Sequence, residues 1–289
     1  MTLAAGQGSA YAIAVDARNV YWTTNIACGT VMKVPRDGGT PVALASGQAT
    51  PAGIAVDATS VYWTNSTGGT VMKVPLGGGT PTTLASRQAN PTAIAVDATS
   101  VYWTNDWFCS GSVMKVPLGG GTPITLASGQ VMPTGIAVDA TSVYWTNPLD
   151  SNGDSSGGRV TTGTVMKVPL GGGAPTTLAS QQAGPEGLAV DGTSVYYTAG
   201  DAVMKLPLGG GTPVTVASGN IDPSVIAVDA TSIHWTGNSG DVMKVPLAGG
   251  PLTTLATGLI NGAGIAVDAT SVYWTINQAD GVVLKLSSK

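Results

Sequence analysis

An all-β chain built from like units is what this sequence predicts, and three observations predict it. The phrase "AVD" recurs seven times, ending at Asp16, Asp57, Asp97, Asp139, Asp191, Asp229 and Asp268. A second phrase, "VMK" or a close variant, recurs equally often, ending at Lys33, Lys73, Lys115, Lys167, Lys205, Lys244 and Lys285. Between them lie short β-branched and aromatic runs broken by Gly, Pro, Ser and Asn. A repeat of roughly 40 residues marks small supersecondary units stacked in an array. No stretch of about ten residues keeps helical periodicity without meeting Gly or Pro, so pairs of helices are excluded.

Within one copy the elements follow in order. "GIAVD" and "SVYWTN" are the first two strands, joined through "ATS"; "TVMKVP" and "TTLAS" are the third and fourth, joined through "LGGGTP". Asp57 precedes the first turn, where its carboxylate can accept from amides two residues on. Gly77, Gly78 and Gly79 permit positive φ in the second turn, and Pro75 and Pro81 flank it where no ladder donor is needed. Both faces of the strands are apolar, as Val71 with Met72 and Val61 with Tyr62 illustrate, so each small sheet must be covered on both sides. Four antiparallel strands per unit, packed face to face around an axis, are the blades of a β-propeller.

Trp22, Trp63, Trp103, Trp145, Trp235 and Trp274, with Tyr197 in the fifth copy, fall at one repeat position and are expected between blades. Burying about 150–250 Å² at roughly 25 cal/mol/Å² stabilises by about 4–6 kcal/mol per ring as an upper bound, reason enough for these rings without a ligand. The last copy ends with "VVLKLSSK", one strand short of a blade, while "TLAAGQ" at Thr2 to Gln7 aligns with "TLASRQ" at Thr83 to Gln88. The N-terminal strand should therefore complete the last blade, a 1+3 closure that removes the open edges. The expected fold is a single seven-bladed β-propeller over residues 1–289.

Composition narrows the partners. Only 10% of residues are charged and the net charge is -4, so no basic field exists for nucleic acid or anionic lipid. No apolar run is long enough to insert in a membrane as a helix. The opening "MTLAAGQGSAYAIAVD" lacks the basic and long apolar parts of a secretory leader, leaving a cytoplasmic chain and a mature segment as alternatives.

The phrases "GIAVDATSVYWTN" and "TVMKVPLGGGTPTTLAS" resemble YWTD and NHL type propeller repeats, above all the repetitive bacterial YWTN-type copies followed by "GTVMKVPLGGG". The resemblance spans essentially the whole chain. It implies a recognition module in an extracellular or cell-envelope setting. This chain departs from the receptor pattern in having seven copies rather than six, and in carrying Asn65, Asn105 and Asn147 where the motif has Asp.

Chemistry would need residues that break the repeat. The single histidine, His234, occupies the repeat position of Tyr62 and Tyr102 and is expected to be structural. No HExxH, GxSxG or CxxC motif occurs, and the Gly-rich loops precede strands rather than helices, which makes them turns and not phosphate cradles. Repeat lysines are expected to be solvated or paired. Loops joining second to third strands, and fourth strands to the next blade, share one face. That face collects Asp106, Asp150, Asp154, Glu186, Asp201, Asp222, Asp241 and Asp280 against Arg87 and Arg159, so it is acidic and favours cations, amines or basic peptides. The opposite face keeps Arg18, Arg36 and Asp37.

Two loops stand out on the acidic face. "NDWFCSGS" places Asp106, Trp107 and Phe108 as candidate ligand-binding residues, unless the rings fold back over the core. "NPLDSNGDSSGGRVTTG" gives Asp150, Asn152 and Asp154 the alternate spacing of a calcium loop, without the glycine and closing glutamate of a full one. Calcium is the one cofactor this loop could take; a mobile polar loop is the other reading. Cys28 and Cys109 fall in loops a complete blade apart, which predicts two unpaired thiols. The sequence thus favours a monomeric, non-enzymatic binding or scaffold propeller for a protein or glycan. A lectin using Gln48, Gln88, Gln130 and Gln182 with Asn65, Asn105 and Asn147 is one alternative, and a metal-dependent lyase or hydrolase another.

Overall fold

The computed structural model describes residues 1–107, 110–149, 162–219, 221–237, 240–258, 261–287 and 289. Among them are twenty-eight strands, β1 to β28 in chain order, and no helix. They form seven four-stranded antiparallel sheets arranged in a ring, the predicted class. In the first blade β2 (Ala10–Val15), β3 (Asn19–Thr24), β4 (Ala27–Pro35) and β5 (Val42–Ala49) pair in chain order, and five further sheets repeat that order. The seventh is β1-β28-β27-β26, joining β1 (Thr2–Ala4) to β28 (Val282–Ser287), β27 (Ser271–Ile276) and β26 (Gly262–Val267). Thr2 pairs with Leu284 and Ala4 with Val283, and the Met1 carbonyl accepts from the Lys285 amide at 2.9 Å.

The turns form for local reasons. Oδ1 of Asp57 accepts from the amides of Thr59 (2.7 Å) and Ser60 (2.8 Å), and Oδ2 accepts from the Tyr62 hydroxyl at 2.8 Å. One carboxylate thereby fixes the first hairpin and orients the aromatic of the next strand. In the sixth blade His234 replaces the tyrosine, fully buried, with Nε2 2.9 Å from Asp229 Oδ2. In the second hairpin Gly78 and Gly79 use φ of 92° and 131°, while Gly77 needs no positive φ.

The core lies between blades rather than within them. Tyr21 of the first blade shares a cluster with Trp63 and Val74 of the second, and Tyr62 of the second with Trp103 and Val116 of the third. Two polar stitches accompany most of these apolar contacts. Second-strand threonines donate to an inner-strand carbonyl of the next blade, as Thr23 does to Ala52 (2.8 Å) and Thr64 to Thr92 (2.6 Å). Third-strand lysines donate across the seam to a loop carbonyl, Lys33 to Leu76 and Lys73 to Leu118, both at 2.6 Å. The lysines expected to be solvated or paired are thus staples. Near the axis the inner strands approach so closely that a Cβ at Gly53 would lie 2.4 Å from the Thr92 carbonyl, which requires glycine there.

Two outcomes are expected. Leu3 is 5% exposed in the closing strand and Val42 is 50% exposed on a rim. Leu3→Ala should therefore lower stability by about 2–4 kcal/mol in denaturant titration, and Val42→Ala by under about 0.5 kcal/mol. Burial alone would raise the turn carboxylates, but hydrogen bonds from amides, hydroxyls and Tyr62 or its counterparts outweigh it and hold Asp57, Asp97, Asp139 and Asp191 below the ordinary 3.8. Since the folded values lie below the unfolded ones, this stability is present above 3.8 and lost as pH falls through the lowered values. Melting temperature measured against pH should fall steeply in that acid range, and less steeply in Asp57→Asn.

Candidate functional site

The first strands of all seven blades line a cavity of about 560 Å³ on the axis of the ring. Its mouth opens on the face formed by the loops between second and third strands. One repeat position, two residues ahead of the inward-facing Ile or Leu of each first strand, forms a ring there: Tyr11, Thr92, Thr134, Glu186 and Ser224, with alanine in the remaining two blades. Loop residues Asn25, Ser66, Asn90 and Asp106 add polar groups. Glu186 holds the chain's one glutamate, and Tyr11 the ring's one aromatic.

Two carboxylates, Glu186 and Asp106, line this cavity, and no lysine or arginine does so among the described residues. Burial pushes the Glu186 carboxyl up, and the charge of Asp222 pushes it further. Burial also raises Asp106. The Tyr11 phenol is raised by burial and then by Glu186, although the two residues come from the first and fifth blades. Carboxylates raised in this way are under-solvated when charged, and a cation would relieve both. The arrangement can therefore seat a protonated amine or a guanidinium, with hydroxyl and amide groups around it.

Asp106 is the predicted candidate that reaches the cavity. Trp107 beside it is 56% exposed and is not part of the lining, so it does not fold back over the core. Phe108, and the calcium-loop candidates Asp150, Asn152 and Asp154, lie outside the described residues, as does Cys109; Cys28 is a free, exposed thiol. Asp201 ties its loop to the one that leads into the sixth blade, accepting from the amides of Ile221 (2.6 Å) and Asp222 (2.9 Å). Among the described residues no three His, Cys, Asp or Glu side chains gather as a metal site.

The glutamines expected to face a sugar have other work. Oε1 of Gln48 accepts from Trp63 Nε1 and Asn65 Nδ2, both at 3.0 Å, while its Nε2 donates to the Ser46 carbonyl. Gln88 and Gln130 repeat the pattern, and Gln182 accepts from the Tyr197 hydroxyl at 2.6 Å. They clamp the tryptophans of the scaffold. Tyr11 was missed in the sequence, although the signal was there: it stands where the second blade has Ala52 and the third Thr92.

No protein-family model and no curated protein matches the chain. Solved structures do. A streptogramin B lyase aligns with a TM-score of 0.79 at 14% identity, over 99% of this chain and 96% of that one. Virginiamycin B lyase from Staphylococcus aureus aligns with a TM-score of 0.77 at 15% identity, over 98% and 95%. A nidogen/laminin complex aligns with a TM-score of 0.61 at 21% identity, over 76% of this chain and 86% of that one. At such identities the likeness is one of fold, shared with enzymes and with a protein-binding propeller alike, and it establishes the β-propeller.

Proposed function

We propose that this chain is a non-enzymatic binding propeller whose acidic face receives a cationic group of a protein partner at the mouth of the central cavity. One observation carries the reading. Glu186 breaks an otherwise uncharged ring at the axis, exposed to the cavity and facing no cation among its described lining residues, with Asp106 as a second carboxylate. A lysine or arginine side chain presented by a loop matches the charge of such a mouth. Exposed Trp107, next in sequence to Asp106, supplies an apolar contact at the rim. The repeat phrases support a YWTD/NHL-like kinship, and with it a place outside the cell or in its envelope.

The test is calorimetric titration of the 289-residue protein with tetralysine, and with tetraserine as the neutral control. Tetralysine should bind and weaken with added salt. Glu186→Gln should reduce its affinity about tenfold, equivalent to ~1.4 kcal/mol. Equal affinity in the variant, or no preference over tetraserine, overturns the reading. Stability should move the other way. Because the folded-state value of Glu186 lies above its ordinary 4.5, its charge costs stability at neutral pH, so Glu186→Gln should melt higher than the parent at pH 7. Trp107→Ala should change stability by less than about 0.5 kcal/mol while weakening a folded partner's binding.

A further inference from the structure

The axial cavity is layered. Two residues beyond the ring that holds Glu186, each first strand carries an isoleucine, or Leu188 in the fifth blade, and all seven line the cavity. First strands run away from the mouth, as Pro51 opposite Asn65 and Ile54 opposite Trp63 show, and two residues of strand span roughly 7 Å. The isoleucines therefore lie beneath the polar ring. They are 5–9% exposed, whereas Val61 and Val74 between the blades are fully buried. Ala14 and Ala55, next along their strands, take no part in the lining. The cavity is thus a cup with a polar, acidic rim and an apolar bottom layer.

The order of these layers decides what the cup can take. A lysine or arginine entering through the mouth carries its charge foremost, so its carbons stay above the carboxylates and never reach the isoleucines. An apolar group that leads its own charge meets both layers at once. The two must also lie close together, since Glu186 and Leu188 stand two residues apart on one strand. The amino-terminal residue of a polypeptide has this form: its side chain and its ammonium branch from the same carbon, and the rest of the chain leaves from there as well. The rim suits that remainder. Asn25 and Asn90 use Nδ2 to hold the carbonyls of Pro51 (3.2 Å) and Asp106 (3.1 Å), and their Oδ1 atoms remain as acceptors for an ammonium proton or an amide N–H.

We propose that the cup receives the free amino terminus of a partner polypeptide whose first residue is large and apolar, its side chain on the isoleucine layer and its ammonium at the level of Glu186 and Asp106. The inference rests on the cation-binding reading above and names the cation. Charge-assisted hydrogen bonds to carboxylates hold the ammonium, and burial of the side chain separates leucine from serine at the first position.

Calorimetric titration of the 289-residue protein with a short peptide series tests this. Leu-Ser-Ser-Ser should bind about tenfold more tightly than tetraserine, which has the same ammonium and main chain. N-acetylation of Leu-Ser-Ser-Ser should remove at least that advantage, and so should Glu186→Gln with the unacetylated peptide. Ala263→Phe fills the cup from one of the ring's alanines and removes no residue of the bottom layer, so it should erase the preference for leucine over serine. Leucinamide should bind more weakly than Leu-Ser-Ser-Ser; equal affinity makes the occupant a free amine and overturns the polypeptide assignment. If tetralysine binds through Glu186 while Leu-Ser-Ser-Ser gains nothing over tetraserine, or the acetylated peptide binds as well, this inference alone fails. If Glu186→Gln changes the affinity of neither tetralysine nor Leu-Ser-Ser-Ser, the cation reading fails with it.

Discussion

The structure depends on a contact that no blade can make alone. Each second strand carries an aromatic pair pointing to opposite faces, so Tyr21 completes the pocket of Trp63 and Tyr62 completes that of Trp103. A sheet with two apolar faces is stable only between two others, and a finite row of such sheets always leaves two faces bare. Closing the row removes both. The splice of β1 onto β28 is the same argument applied at the level of hydrogen bonds, because it pairs the edge that β28 would otherwise leave open. The small residues of the inner strands then follow from geometry: seven strands converging on one axis leave no room for a Cβ at Gly53, Gly135 or Gly187.

Nearly all of this could be read from the chain, because a repeat reports the same constraint many times. Asp57 and its counterparts declared the first turn, and the recurring tryptophans declared the interface. The candidate site was less legible, for a physical reason. Glu186 and Asp106 are eighty residues apart in sequence and meet only because the ring brings every inner strand to one axis. Tyr11 differs from its counterparts Ala52 and Thr92, a departure that carries meaning only once the first strands are known to meet at the axis. The glutamines misled in the opposite direction, since a polar side chain at a strand end suggests solvent, whereas Gln48 turns inward to satisfy Trp63 and Asn65. His234 shows the limit of reading positions singly. As a replacement for tyrosine it is unremarkable, and only in space does it prove to share a seam with Thr236, whose buried hydroxyl has no partner among the described residues.

The two faces divide the electrostatics of a chain whose net charge is -4. Carboxylates in the first hairpins are lowered because amides and hydroxyls surround them, so their charge supports the fold. Those at the axial mouth are raised because burial is not matched by donors, so their charge works against it. The same residue type is thus structural at one end of a blade and held at a cost at the other. Such a cost, concentrated where the blades converge, is what sets the proposed binding surface apart from the scaffold that carries it.

The lysine staples have a further consequence for how the repeats can diverge. Their acceptor is always a main-chain carbonyl, so the identity of the side chain on the accepting residue is immaterial to the bond. Five of the partners are leucines, yet Lys285 finds the Arg36 carbonyl equally well. The loops of that face can therefore accumulate substitutions, and with them new surface chemistry, while the ring stays stitched. A duplicated ancestor built this way can explore one face copy by copy without first solving its folding again.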